Sequence, residues 1–280
     1  MPILNCLFWN INERPTFESV IRDISTDVDI LLLAEATGID DAMLERLTGL
    51  RRVCSVFPGD HGHYTPKFFS REAGFTLSHV SVSPTGRLVH AVLHVPGFEE
   101  IMVSGLHFPS KLYYQGATQS DLANIYANYL TEMEVQRGHK RTIVIGDFNM
   151  NPFEHGMISP HGFNATLSRV IAQRSARTFH YNKYDYFYNP MWSFLGDHEM
   201  ASGQLKQPGS FYYHTTTDSE AIYWNVFDIV LLRAAVIDHL VMGSIRYLTA
   251  KNGHTFVNAG GEPDDVGYSD HLPLSFHLKF

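Results

Sequence analysis

Strand-length apolar runs that stop or start at a polar residue constrain this chain more than any other feature. "ILNCLFWN" ends at Asn10 and "VDILLLAE" at Glu35. "EEIMVSGLHF" delivers His107, and "RTIVIGDFN" delivers Asp147 and Asn149. Later the arrangement reverses, with Asp228 just before "IVLL" and Asp270 and His271 just before "LPLSF". Apolar runs of this length, bounded by turn residues, read as strands. If the late strands run antiparallel to the early ones, all these side chains meet at one edge. Residues two apart in an extended segment share a face, so Asp147 and Asn149 are expected to point the same way.

The rest of the pattern is that of an α/β chain. "RRVCSVF", "GFTLSHVSV", "RLVHAVLHV", "FDIVLLR", "AVIDHLVMGSIRY" and "LPLSFHLKF" read as further strands, with turns at "SPTG" and "PGFE". Leu122, Ile125, Tyr126, Tyr129, Leu130 and Met133 recur at spacings of three and four, which predicts a helix started by Ser120 and closed by Gly138. "NATLSRVIAQRSA" predicts a second helix. Strands outnumber helices and hairpins mix with helical crossovers. A mixed sheet, or two packed sheets, covered by helices follows. No repeat or long linker divides the chain, so residues 1–280 are expected to form a single domain.

Composition limits where and on what such a chain acts. Hydrophobic residues make up 44% and charged residues 18%, a globular balance. No apolar stretch is long enough to span a bilayer. The start, "MPILNCLFWNINERP", lacks a basic leader and reads as a strand. Cys6 and Cys54 make neither a disulfide framework nor a zinc cluster, and Cys6 reads as a buried thiol. A soluble, cytoplasmic protein is the expectation; nothing in the sequence fixes its oligomeric state. The net charge of −8 argues against broad electrostatic binding of nucleic acid but leaves room for a local basic groove.

Six short stretches, in order along nearly the whole chain, carry a family resemblance. They are "FWNIN" at 8–12, "LLLAE" at 31–35, "GLHFPS" at 105–110, "IGDFN" at 145–149, "FDIVLL" at 227–232 and "SDHLPL" at 269–274. "GDFN" and "SDHLP" are the specific signals; "WN" and "FD" count in combination. The sequence resembles the endonuclease/exonuclease/phosphatase superfamily. The resemblance implies a four-layer α/β sandwich, with two mixed β-sheets face to face and helices outside. It also implies hydrolysis of a phosphate ester with Mg²⁺ or Mn²⁺, hard ions that prefer oxygen ligands.

By the same resemblance, Glu35 is the first metal ligand, with Asn10 and Asp270 completing the site directly or through water. Asn12 stands where some relatives carry an acid, which leaves the number of metals open. His271 suits a general base, with Asp228 holding its other ring nitrogen. Asp147 is the alternative base, and Asn149 is expected to donate to the scissile phosphate. His107 would contact phosphate or protonate the leaving oxygen. Lys111, just after "HFPS", is placed to meet a phosphate.

The substrate is a separate question. "FHYNKYDYFYNPMW" and the following "SFYYH" gather aromatic residues, among them Tyr188 and Trp192, that can stack bases or simply fold back and bury their rings. Arg169, Arg174 and Arg177 form either a phosphate-binding face or a solvated helix face. The inositol phosphatase signature is absent, its place taken by "WNVFDIVLL". A metal-dependent phosphodiesterase, acting on DNA or RNA as a nuclease, is therefore the leading expectation. The alternatives are a phosphohydrolase of small molecules or lipid headgroups, and a binding protein that kept the fold without catalysis.

Overall fold

The computed structural model describes residues 2–14, 17–53, 64–114, 116–197, 207–217 and 221–280. Its strands form two large mixed sheets. The first runs β16 (Arg246–Tyr247), β19 (Leu274–Lys279), β1 (Ile3–Asn10), β2 (Ile30–Ala34), β4 (Lys67–Ser70), β3 (Arg51–Arg52). The second runs β5 (Thr76–Val82), β6 (Leu88–His94), β7 (Ile101–His107), β8 (Thr142–Asp147), β15 (Asp228–Arg233), β12 (Phe187–Tyr188), β9 (Ala165–Thr166). Three small hairpins lie outside them: β10 (Ala176–Phe179) with β11 (Asn182–Asp185), β13 (Phe211–Tyr212) with β14 (Trp224–Asn225), and β17 (Ala250–Lys251) with β18 (His254–Thr255).

The central strands are apolar on both faces because each sheet is covered twice. β2, "ILLLA", is buried at every position, as are β7 and β8. One face meets the other sheet and the other meets a helix. Phe8, Trp9, Phe68, Phe69 and Phe276 are fully buried in one continuous core cluster. Each such ring contributes roughly 2–3 kcal/mol by leaving water. The sheets approach closely at Gly105 of β7, where a Cβ would lie 2.9 Å from a Leu32 methyl and 3.0 Å from the Phe68 ring.

Among the described residues five α-helices accompany the sheets: α1 (Glu18–Ile24), α2 (Asp41–Thr48), α3 (Ala117–Arg137), α4 (His155–Ile158) and α5 (Arg169–Ala172). α3 buries Ala123, Tyr126, Leu130 and Met133, while Ile125 of the expected stripe faces outward. A buried ion pair ties this helix to β15, with Arg233 Nε 2.8 Å from Glu134 Oε1. Isolated burial of either charge would be costly, so the pair fixes the helix in register.

Several local expectations are corrected. α3 starts at Ala117 with Gly116 at its N-cap; Ser120 lies inside the first turn and caps nothing. Gly138 does close the helix, at φ 71°. In "NATLSRVIAQRSA" only Arg169–Ala172 is helical, because β9 takes Ala165–Thr166 and Ser168 then caps the turn, accepting from the Ile171 N–H. "AVIDHLVMGSIRY" forms two short 3₁₀ turns, Ala234–His239 and Met242–Ser244, before β16. Its burial falls at Val236, Ile237 and Leu240, a helical spacing and not alternation. Cys54 and most of "RRVCSVF" lie outside the described residues. Cys6 is a free, buried thiol, and burial followed by the Asp29 charge pushes its pKa up. No helix among the described residues is long and apolar enough to cross a membrane.

Candidate active site

Sheet register delivers the polar strand ends to one place. β1 and β2 are parallel, pairing Asn10 with Ala34, so Asn10 and Glu35 emerge side by side. β7 and β8 are parallel and pair His107 with Asp147. β15 runs antiparallel to β8, setting Asp228 opposite Asp147. β19 runs antiparallel to β1 with Leu274 opposite Phe8, which puts Asp270 and His271 near Asn10. The antiparallel arrangement of the late strands therefore holds. Gly146 permits the close parallel pairing of β8 with β7: a Cβ there would sit 1.8 Å from the Leu106 carbonyl oxygen.

At the floor, Asp228 holds His271 and His271 faces Asp147. His271 Nδ1 lies 2.9 and 3.1 Å from the two Asp228 carboxylate oxygens, and its Nε2 lies 3.9 Å from Asp147 Oδ2. All three side chains are buried. The surroundings fix them further. Trp9 donates its indole N–H to the His271 carbonyl at 2.8 Å, and the Phe211 ring lies 4.8 Å from the imidazole. Ser210 Oγ accepts the Asp228 backbone N–H at 3.2 Å, and the Tyr247 hydroxyl donates to the Asp228 carbonyl at 2.7 Å.

Asp147 and Asn149 do converge, but a turn brings them together and not strand pleat. β8 ends at Asp147, and Asn149 adopts a left-handed φ of 47°. Its backbone N–H donates to Asp147 Oδ1 at 2.8 Å, as in an Asx turn. Its amide donates to Asp147 Oδ2 and to the Phe108 carbonyl, both at 2.9 Å. Both amide hydrogens are thus engaged inside the protein. Asn10 bridges the two halves, its amide donating to Glu35 Oε1 at 3.1 Å and to Asp147 Oδ2 at 3.2 Å. Asn12, also left-handed at φ 48°, fixes that amide by donating its backbone N–H to Asn10 Oδ1 at 3.0 Å.

These contacts separate the titrations of the three ionisable groups. Burial, reinforced by Asp228, pushes the Asp147 carboxyl up to about 6 against the pull of His271 and His107. Burial opposes charge on His271, yet the Asp228 and Asp147 carboxylates outweigh it and hold the imidazole well above its usual range. Burial also works to raise Glu35, but hydrogen bonds and charge from His107, with help from Asn10 and His271, hold it at about 2. Glu35 is therefore a carboxylate throughout the neutral range. It too is left-handed, at φ 48°, a strained conformation of the kind that collects at functional sites.

The donor set fits a hard divalent ion. Among the described residues Glu35 Oε2 and Asp270 Oδ2 have no protein hydrogen bond, while Glu35 Oε1 is held by Asn10 and His107. Both carboxylates line the cleft, and magnesium-type ions need only one or two such ligands. Asp147, Asp228 and His271 also bring ligand-type atoms within 4.8 Å of one another. A cation there would have to displace the His271–Asp228 hydrogen bonds, so Glu35 and Asp270 are the better seat.

The sequence model of the Endonuclease/Exonuclease/phosphatase family matches residues 7–271. The chain belongs to this family. Solved structures agree on the fold. The endonuclease domain of TRAS1, a telomere-specific non-LTR retrotransposon, is similar with a TM-score of 0.54 at 15% identity over 99% of both chains. Truncated Caenorhabditis elegans TDP2 gives 0.58 at 14% identity, covering 99% of this chain and 98% of that one. A variant of the 3′ phosphatase NExo from Neisseria, bound to product DNA hairpin, gives 0.52 at 15% identity over 99% of this chain and 100% of its own. No curated protein sequence matches this chain. The two mixed sheets with helices outside are the DNase I-like α/β sandwich of this family.

The family floor opens into a cleft of about 1950 Å³ that Lys111 and Asn12 also line. Lys111 is paired with Glu154 and lies 5.1 Å from the Phe227 ring centroid. Tyr188 and Trp192 are not brought to the cleft. Tyr188 is buried on β12 with its hydroxyl toward Met242, and Trp192 sits in the 3₁₀ turn Pro190–Phe194. The apolar core takes in the Tyr188 ring, and Trp192 is half-buried outside the cleft lining. Arg169 pairs with Asp238 and Arg177 with Asn164, away from the cleft.

Residues that sequence reasoning passed over sit there instead. Arg87 lays its guanidinium 3.7 Å from the Tyr64 ring centroid and donates to the His107 carbonyl. Asn151 accepts the Val226 N–H at 2.9 Å and donates to Asn225 at 2.8 Å, fastening the β14–β15 corner under the site. "GDFNMNP" offered a signal for Asn151, a second Asn two positions on. Nothing local marked Arg87 or Tyr64.

Proposed function

We propose that this chain is a divalent-metal-dependent phosphodiesterase of nuclease type, acting on DNA or RNA through one catalytic domain. The observation that carries the reading is the Asp228–His271–Asp147 chain set beside the free oxygens of Glu35 and Asp270 in one cleft. Mg²⁺ or Mn²⁺ held by Glu35 and Asp270, with Asn10 alongside, would supply Lewis-acid stabilisation of charge on the phosphoryl oxygens.

The protein's own residues divide the remaining work. Asp228 keeps His271 protonated, so the imidazolium offers its Nε2–H to a phosphate oxygen and is a poor base. Asp147, pushed up to about 6, is charged yet basic at neutral pH and takes the proton of the attacking water. Asn149 and Asn10 hold that carboxylate in place through their amide donors. His107 holds Glu35 with Nε2 at 3.2 Å, and its buried Nδ1 has no hydrogen-bond partner among the described residues. That free nitrogen supports a contact to the phosphate or leaving group.

The names of similar structures lend support: an endonuclease domain, and a phosphatase bound to a DNA hairpin. A cytoplasmic location is part of the proposal, supported by the sparse cysteines and the free thiol of Cys6. One observation favours a second reading, hydrolysis of a small phosphodiester. Among the described residues the cleft is lined by seven carboxylates, Glu13 and Asp265 at its margin among them, against Arg87, Lys111 and the histidines His107, His155 and His271.

One assay series separates the two. Supercoiled plasmid, single-stranded DNA, single-stranded RNA and a chromogenic phosphodiester are incubated with Mg²⁺ or EDTA. Metal-dependent cleavage of a polymer is expected. Turnover of the chromogenic diester alone would favour the small-molecule reading, and no turnover of any substrate would contradict both.

A further inference from the structure

The rim of the cleft carries exposed tyrosines that the proposed chemistry does not use. Tyr113 and Tyr114 follow Lys111 after β7, their backbone N–H groups both 3.2 Å from the Ser110 carbonyl. Tyr213 follows β13, held by its N–H to the Tyr223 carbonyl at 2.8 Å. All three line the cleft. Tyr113 is 81% exposed, Tyr114 42% and Tyr213 43%, and none has an aromatic partner among the described residues. Exposed rings lining a cleft offer faces on which flat aromatic groups can stack.

We infer that Tyr113 and Tyr213 are stacking platforms for unpaired bases next to the scissile phosphate, which makes single-stranded nucleic acid the substrate class. The inference rests on the phosphodiesterase reading of the floor. The charge of the cleft selects stacking over phosphate neutralisation as the source of affinity. A duplex-binding surface releases counterions through many Lys and Arg contacts. Here Arg87 is stacked on Tyr64 and Lys111 is paired with Glu154, and carboxylates surround both. The residues outside the described structure add only Lys206 as a Lys or Arg. Base stacking on an aromatic ring is tolerant of sequence and gives on the order of tenfold in affinity per base. In a duplex the bases are already stacked on one another, so the platforms reward only an unpaired strand.

Binding is measured by fluorescence anisotropy on His271→Ala protein with Mg²⁺, which separates affinity from turnover. Labelled decathymidylate, decauridylate, an abasic decamer of the same backbone and a blunt hairpin duplex are compared. At least one of the two base-bearing decamers is expected to bind about tenfold or more tighter than the abasic decamer. Adding Tyr113→Leu or Tyr213→Leu is expected to narrow that gap on the order of tenfold, a loss a merely structural change would not confine to base-bearing strands. Even if Arg87 and Lys111 both met phosphates, the dependence of log affinity on log salt would be shallow, with a slope no steeper than about −1.4. Equal binding of base-bearing and abasic strands, tighter binding of the duplex, or a slope steeper than about −4 would overturn the inference. Wild-type turnover in the Mg²⁺ series of plasmid, single strands and chromogenic diester reports the underlying reading separately. Turnover of any of these without base-dependent binding sinks the stacking platforms alone, whereas absent turnover of all of them sinks the catalytic reading and anisotropy still scores the platforms.

Discussion

The floor and the rim of the cleft are built on opposite principles. On the floor, Asp228, His271, Asp147 and Asn10 are nearly fully buried, and each is held by hydrogen bonds from strand ends or their immediate neighbours. On the rim, Tyr113, Tyr114 and Tyr213 stand in solvent on loops and a two-residue strand pair. A rigid floor can set pKa values, because burial and fixed neighbours shift them only where geometry does not relax. An open rim can select substrate without disturbing that geometry. Chemistry and specificity are thus separable in this molecule.

That separation can be broken by experiment, beginning with the floor. His271→Ala is expected to lower kcat/KM by about 10³–10⁴-fold with unchanged circular dichroism, as loss of a positioned proton-holding group does. Asp228→Asn should cost somewhat less, roughly 10²–10³-fold, since the imidazole stays but loses the charge that keeps it protonated. Steady-state kinetics on a chromogenic phosphodiester measures both. If either variant retains wild-type turnover, the floor is not the reaction centre.

Gly146→Ala tests how rigid the floor is. Its new methyl would meet the Leu106 carbonyl at 1.8 Å, so backbone must move in β7 or β8. A loss of about 3 kcal/mol or more is expected in urea unfolding, at the upper end of overpacking costs. A loss under about 1 kcal/mol would show the strand pair adapts and would weaken the contrast with the rim.

Glu35 gives a smaller, pH-dependent signature. Its folded pKa of about 2 lies below the ordinary 4.5, so its ionised form contributes stability that is present above pH 4.5 and lost as pH falls toward 2. In metal-free protein, Glu35→Gln should lower stability by roughly 1–3 kcal/mol at pH 7, partial exposure having reduced the full linkage value. The difference from wild type should vanish near pH 2. A gap that is constant with pH would mean that Glu35 acts through shape and not charge.

The floor was legible in the sequence for a physical reason. Register in a two-faced sheet is fixed by burial, so a polar residue closing an apolar run has one place to go. Asn10, Glu35, His107, Asp147, Asp228, Asp270 and His271 were all found this way, and pairing brings them together as expected. Asn149 was read with the right partner but the wrong geometry, because a left-handed residue follows the strand. The rim was not legible. Tyr188 and Trp192 cluster in sequence as aromatics able either to stack bases or to fold back; Tyr188 is buried on β12 and neither lines the cleft. Tyr113 carried no local mark, while Tyr213 lies in "SFYYH", one of the two aromatic stretches read as able to stack bases; the fold places both on the cleft. Loop position depends on long-range packing, which no local pattern encodes.

The most direct test of the whole account is a Mg²⁺ titration of phosphodiester hydrolysis by wild-type and Glu35→Ala, Asp270→Ala double-variant protein. Wild type should show saturable activation by Mg²⁺, abolished by EDTA and restored by excess metal. The double variant should stay inactive at metal concentrations that saturate wild type. Hydrolysis that persists in EDTA, or equal activation of the two proteins, would contradict the assignment of this floor as a metal-assisted phosphodiesterase site.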